Sequence, residues 1–544
     1  MRSAQSVLFA GLALVIAVGC GSKVPRNGFN EDESNTDPAP EQGLDGANKA
    51  FGGDATKNLV LDPLNATVII DTAVTPLVPG SVVYKVSKTG QDVTAGAQFT
   101  LKDPSLGSFS GPKFTSVGSL PAGVLGKSTT VQAQTPEGQA LGTLTVVALR
   151  KTGAQRDFFF VVPYNENPTP KSDVLKFSTN IKQADVAFSV DTTGSMTNSI
   201  NNLKTALQTT LLSQLQAAIP NVGLAVVDFR DFGDSWVVKV RQPITTNVGL
   251  AQSAVGGMSA GEGGDLPEAS IASMMHILTG QANAPIAAHA NTVPGTFGGV
   301  DFRTGSVPVV VNITDADWHD ASGNATMGAL KAAFTSTKAK FVGVTETTSG
   351  VSENQANDLS DATGSSVPPS AFGATCAAGQ CCTGVNGAAR APTGPGGTCR
   401  LNFQSTNGSG VGSSIVKAIS AIAVGSTFDV KAQASNDPKN AKNVDATKFI
   451  KAIRAMDEGN PTEGCPAAPA KDSDGDGIKD TFIAVKAGTP VCFEVIAAMN
   501  TTVPPTLDPQ FFNAFIDVIG LPGNLKLDTR TVLFLVPPTV TGVK

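Results

Sequence analysis

Three oxygen-bearing side chains at alternate positions, Asp191, Thr193 and Ser195, mark the first place where this chain could do chemistry. They lie in the run Asp191-Thr192-Thr193-Gly194-Ser195, just after an apolar stretch, Val186–Val190. An apolar run of this length suits a buried parallel strand, and open α/β sheets place their sites beyond the carboxyl ends of such strands. An acid and two hydroxyls on one tight turn suit a hard cation. Mg2+ takes oxygen ligands in octahedral geometry and gives up water reluctantly. A second oxygen-rich run, Asp472-Ser473-Asp474-Gly475-Asp476-Gly477-Ile478-Lys479-Asp480, lies towards the C-terminus. Carboxylates at alternate positions around a glycine can wrap one Ca2+. Hydrolysis would need a nucleophile, a base and an orienter. The chain has three histidines, His276, His289 and His319, and no H-E-x-x-H pair. It is read as a binder, not an enzyme.

The elements that must hold these residues follow from periodicity. From Ile181 the pattern alternates between strand and helix. Val222–Phe229 and Val307–Thr314 read as buried strands, Trp236–Arg241 as an edge strand and Phe341–Val344 as a further strand. Asn198–Ile219, Pro267–Leu278, Thr326–Lys338, Glu353–Ala362 and Ser413–Ile422 read as helices. This alternation predicts a Rossmann-like α/β segment, a mostly parallel sheet with helices on both faces, over 171–425. Residues 57–168 and 426–544 are strand-rich and bounded by Pro, Gly and Asn. They are expected to form flanking β-sandwich domains, the first of immunoglobulin-like type. Gly126-Lys127-Ser128-Thr129 has the ending of a phosphate loop without its frame, and reads as a hairpin turn. Asp157–Pro163 (DFFFVVP) is echoed by Thr531–Pro537 (TVLFLVP); the echo is either a coincidence of composition or two strands that pair in one sheet and close the two ends of the chain together.

The three middle-segment motifs resemble those of von Willebrand factor type A (VWA) domains. Asp191-Thr192-Thr193-Gly194-Ser195 matches D-x-[ST]-x-S. Gly263-Gly264-Asp265-Leu266-Pro267-Glu268 resembles the second loop of many bacterial members and the Asp-x-Pro-Glu loop of integrin β subunits. Val309–Asp315 (VVVNITD) is similar to the strand that supplies the third loop. The resemblance implies a metal-ion-dependent adhesion site (MIDAS) holding Mg2+ or Mn2+. Asp191, Thr193 and Ser195 come from the first loop, Glu268 acts directly or through water, and Asp315 acts through water. Asp265 either ligates this ion or holds a neighbouring one. Both second-loop acids also suit the first turn of a helix, which the helix dipole favours. The implied function is recognition of a protein or surface partner that offers a carboxylate to the ion's open position. Trp318 and His319 form an aromatic rim there, or Trp318 packs inside. The alternative is a structural subunit of an envelope assembly that docks through this segment. The Asp472–Asp480 run is similar to thrombospondin type 3 and dockerin-like loops. That pattern makes Asp472, Asp474, Asp476 and Asp480 side-chain ligands of Ca2+, with Ile478 giving its carbonyl; the glutamate that closes an EF-hand loop is missing.

The first residues read as an export signal. Arg2 precedes the apolar Val7–Val18, too short to span a bilayer. Ala17-Val18-Gly19-Cys20 resembles a bacterial lipobox, which implies a signal peptide over 1–19, cleavage before Cys20 and lipidation of its thiol. Gly21 favours the outer membrane, so the expected location is the cell envelope, held to the membrane by a lipid anchor. Residues 20–56 are polar and Gly- and Pro-rich, a linker that cannot support a core, with a reach of roughly 30–35 Å. Six of the seven cysteines remain after Cys20: Cys376, Cys381, Cys382, Cys399, Cys465 and Cys492. An even set in an exported chain reads as disulfides. Two bridges are expected in a Gly-rich insertion over 373–400 and one between Cys465 and Cys492. Adjacent cysteines without a C-x2-C knuckle suit zinc poorly. A net charge of −6 with 15% charged residues excludes a nucleic-acid footprint.

Overall fold

The computed structural model describes residues 59–538, apart from 154, 320–322, 324 and 347–349. The signal, Cys20 and the linker to residue 56 lie outside the described residues. Strand accounts for 40% of the structure and helix for 23%, in several curled sheets. This overturns the expected α/β class, a VWA-like, mostly parallel sheet with helices on both faces. Its physical cause is visible in the connections. Residues 280–306 contain only the two-residue pair Thr296–Phe297 and Phe302–Arg303. The cysteine-rich stretch holds short 3-10 turns and two-residue strands. Gly and Pro fill both stretches and deny them long helices.

The sheet that carries the first motif runs, in chain order, through β1 (Gln183–Asp191), β2 (Asn221–Phe229), β3 (Val238–Thr245), β4 (Val307–Thr314), β5 (Lys340–Glu346) and β6 (Asn402–Ser405). Their spatial order is β3-β2-β1-β4-β5-β6. All neighbours are parallel except the β2/β3 edge pair. The long amphipathic run after β1 forms two helices, α1 (Thr197–Thr209) and α2 (Leu211–Ala218), because Thr210 leaves helical dihedrals. Further on come α3 (Val248–Gly256), α4 (Ser270–Thr279), α5 (Met327–Thr337), α6 (Gly350–Ala362) and α7 (Val411–Gly425).

The largest apolar core does not close around this sheet. Val186, Phe188 and Val190 of β1 belong to one continuous cluster with Phe160, Phe493, Ile516 and Phe534. Those residues lie in the strands expected at the C-terminus and in strands that precede the middle segment. The six-stranded C-terminal sheet has the order Phe158–Val161, Leu525–Val536, Gln510–Leu521, Thr427–Asn436, Thr481–Lys486, Ala470–Lys471. The echoed strands do pair: Phe158–Val161 runs parallel to the last strand, with Phe158 opposite Val532 and Val161 opposite Leu535. Ser172–Phe177 pairs with Val491–Ala497, in a three-stranded sheet completed by Ile450–Ala455. The chain therefore enters these sheets before residue 183 and returns to them after 425.

Towards the N-terminus, Asn65–Asp71, Gly138–Leu149, Gly126–Thr135 and Gln98–Leu101 form a four-stranded sheet beside two three-stranded ones. Alternate residues Val131, Ala133, Leu144 and Val146 share a core with Tyr84 and Phe114, as period-2 patterning requires. Gly126–Thr129 starts a strand opposite Val147, not a hairpin turn. A Cβ at Gly126 would sit 2.2 Å from the Phe511 ring, so glycine lets this strand reach the C-terminal sheet. Disulfides join Cys376 to Cys382, Cys381 to Cys399 and Cys465 to Cys492.

Candidate metal centre

The expected first loop leaves the C-terminal end of β1. Asp191 is fully buried. Its Oδ1 accepts from the Thr193 amide at 2.9 Å and the Thr193 hydroxyl at 2.7 Å. Its Oδ2 accepts from Thr314 Oγ1, at the end of β4, at 2.7 Å. These bonds fold the turn around the carboxylate and leave Ser195 exposed on the following 3-10 turn, Gly194–Met196. Ser195 Oγ donates to Asp315 Oδ1 at 3.1 Å, which brings the first and third motifs together.

The second loop is laid against the first by backbone bonds. The Gly194 amide donates to the Glu262 carbonyl and the Gly261 amide to the Thr192 carbonyl, each at 3.1 Å. Gly263, at φ +73°, lies so close that a Cβ would meet Thr193 Cβ at 2.5 Å and Glu268 Oε1 at 3.2 Å. A side chain there would part Thr193 from Glu268, so glycine permits the convergence. The Glu268 amide donates to the Asp317 carbonyl and its own carbonyl accepts from the His319 amide, at 2.9 and 2.7 Å. The side chain is thereby held inside, 2% exposed. Glu268 Oε2 is buried and has no hydrogen-bond partner among the described residues. Asp265 stands on the exposed outer part of the loop.

Several carboxyls of this pit are raised by burial and by one another. Burial, reinforced by the negative charges of Asp191, Asp231, Asp234 and Asp265, pushes the Glu268 carboxyl up to about 8. Burial raises Asp191 to about 6 against the opposing hydrogen bonds of Thr193 and Thr314. Asp315 is also raised by burial, with the Ser195 hydroxyl opposing and the charge of Glu346 adding to it. A buried acid that lacks a cation is costly. The orphaned oxygen, the buried Asp191 and the nearby hydroxyls are oxygen donors of the type a divalent cation takes, but among the described residues only Asp472, Asp474 and Asp476 bring three acid oxygens within 4.8 Å of one another. Asp191, Thr193, Ser195, Glu268 and Asp315 are the residues that would hold it.

Three acids escaped the sequence reading. Asp231 and Asp234 follow β2, and Glu262 precedes the second motif. Asp234 accepts from the Asp231 amide at 3.0 Å and the Gly263 amide at 3.1 Å. Glu262 pairs with Arg230 at 2.6 Å and accepts from the Ser235 amide at 3.1 Å. The only sequence signal was weak: Asp231 and Asp234 follow an apolar strand, but with no recognisable motif. Trp318 takes the packing alternative. It is buried, with its ring edge-on to Phe341 at 5.8 Å. His319 bonds Asp231 at 2.9 Å and meets the Phe232 ring at 5.5 Å. Gly257-Met258-Ser259-Ala260-Gly261 has the spacing of a nucleophile elbow, but it follows α3 and lacks the strand that would precede an elbow.

The C-terminal run behaves differently. Asp472, Asp474 and Asp476 bring one carboxylate oxygen each within 4.8 Å of one another. Asp472 accepts from the amides of Gly475 and Gly477 at 2.7 and 2.8 Å. Those backbone bonds hold its carboxyl below the usual range. Asp480 turns away from the triad. It pairs with Lys431 at 2.8 Å and accepts from the Ser473 amide at 3.0 Å. The Ile478 amide is bonded to Asp476 Oδ1 at 2.7 Å.

Neither a protein-family model nor a curated protein matches the chain.

Proposed function

We propose that this protein is a metal-ion-dependent binder of the cell envelope, anchored through a lipid on Cys20, that captures a partner carboxylate. Mg2+ or Mn2+ is held by Asp191, Thr193, Ser195, Glu268 and Asp315, and Asp265 faces the partner or a neighbouring ion. The ion supplies a positive centre with a position open to solvent. The chain's own part is to bury the acids, exclude water beneath them and keep Ser195 and Asp315 at the surface. One observation carries this reading: the unpartnered, buried Glu268 Oε2 in a pit of carboxylates. The resemblance of the three motifs to the VWA metal site points the same way. Ca2+ at Asp472, Asp474 and Asp476 stiffens a separate surface loop, and Asp480 and Ile478 join it only if that loop rearranges. Calorimetry with magnesium and manganese chloride tests the first site. Uptake should be saturable and weakened about tenfold by Ser195→Ala. Flat titrations for both salts would overturn the proposal. Capture of a carboxylate-bearing partner should then be lost on adding chelator.

A further inference from the structure

At the other end of the same sheet, where β4 and β5 begin, the surface opens into a cavity of about 640 Å3. Small-molecule sites span roughly 300–1,000 Å3. The inner wall is apolar, with Ile181, Phe334, Phe428 and Leu525 among its lining residues. The tip of the last hairpin, residues 520–525, forms one side. Its Gly523 comes close enough that a Cβ would touch the stem of Lys338 at 3.8 Å.

Two lysines line this cavity, Lys338 and Lys340, and no acid does. In a chain of net charge −6 this is a local reversal of sign. Neither lysine forms an ion pair among the described residues. Lys340 Nζ donates to the Gly364 carbonyl at 3.0 Å, and burial holds its ammonium below the usual lysine range. The acid behind the wall, Asp185, is already matched by Arg303 at 2.5 Å and Ser306 at 2.8 Å. The hydroxyls of Thr335, Thr337 and Thr363 donate to helix carbonyls at 2.9, 2.8 and 2.7 Å. The lysine ammonium groups are the cationic donors available to orient a ligand, above an apolar floor.

We propose that this cavity binds a single-chain amphiphile with a carboxylate head. Its hydrocarbon lies against Ile181, Phe334, Phe428 and Leu525, and its head faces Lys338 and Lys340. Charge-assisted hydrogen bonds set the orientation, and two unpaired cations select against a cationic head. Titration of dansyl-undecanoic acid into the full chain, followed by fluorescence, tests this. Saturable binding is expected, with the methyl ester and a trimethylammonium analogue each at least about tenfold weaker. Lys338→Glu, at an exposed residue, should weaken the acid about fivefold to tenfold. Thr427→Trp, at the exposed rim, should occlude the site. Titrations in magnesium chloride and in chelator should coincide, which separates this site from the metal centre. Equal affinity for acid and ester, an unaltered titration with Lys338→Glu, or binding that is lost in chelator would each overturn it.

Discussion

The two acidic regions, around Asp191 and around Asp472, have similar local spacing and opposite physics. In the first, acids from three loops are buried together, and the carboxyls of Glu268 and Asp191 rise to about 8 and about 6. In the second, the acids sit on a surface loop and Asp472 is held low by backbone amides. A carboxylate satisfied by its own backbone is stable without an ion. A carboxylate buried among like charges with an orphaned oxygen is not. Alternate-position acids therefore say little about a site until burial is known. The pit around Glu268 must hold a proton or a cation to offset its burial, whereas the surface loop satisfies its own carboxylate with backbone amides.

The largest effect should come from Asp191→Ala, which removes the carboxylate that Thr193 and Thr314 bond to. Magnesium affinity should fall by more than about a hundredfold in calorimetry, while calcium uptake at the Asp472 loop is unchanged. If both fall together, the two regions are not independent. Asp528 then separates burial from isolation. It is buried like Glu268, but it has Lys182 at 3.0 Å, Arg530 at 2.8 Å and the Ser178 amide at 2.8 Å. Burial raises its pKa, but the Ser178 amide, Lys182 and Arg530 outweigh this and lower it. Its stabilisation is present above the unfolded carboxylate pKa of about 3.9 and is lost as pH falls through the lower folded value. Asp528→Asn should cost about 2 kcal/mol at neutral pH, and the difference should close towards pH 3 in denaturant melts.

Glu268→Gln should do the reverse in metal-free protein. With its carboxyl raised to about 8, Glu268 must keep at neutral pH a proton that the unfolded chain releases; glutamine removes that cost and should stabilise by about 1 kcal/mol, seen as a Tm a few degrees higher. The same variant should bind magnesium more weakly, so that stability and affinity move in opposite directions. A lower Tm in chelator would mean that Glu268 already has its counter-charge. The smallest effect belongs to Asp474→Ala. Tm in chelator should not change, and only the rise on adding calcium should disappear.

Part of this region was legible locally. The Asp191–Ser195 turn was read from oxygen spacing beyond an apolar run, whereas the Asp265–Glu268 loop and Asp315 came only from the resemblance; the structure brings Ser195 to Asp315. The pairing of Phe158–Val161 with Val532–Leu535 was legible as an echo of composition. The class of the fold was not. Alternation over 171–425 was taken to govern the molecule, yet its core continues through Phe160, Phe493 and Phe534 into the C-terminal sheets. Periodicity reports which face of an element is apolar, and it is silent on which distant element covers that face. Asp231 and Asp234 were missed because their loop has no motif of its own and gains its place only by contact with Gly263.

The sequence by itself determined what covalent neighbours can do. Thr193 folds back onto Asp191 two residues before it, and the Asp472 run folds onto its own amides. The cysteine count alone foretold three bridges, but the partners of adjacent Cys381 and Cys382 are decided by the tertiary fold. Only tertiary structure decided that Ser195 meets Asp315 across 120 residues and that Glu268 is shut in with an oxygen unsatisfied. The reason is that burial and charge density depend on what packs above a residue, and packing is a property of the whole chain.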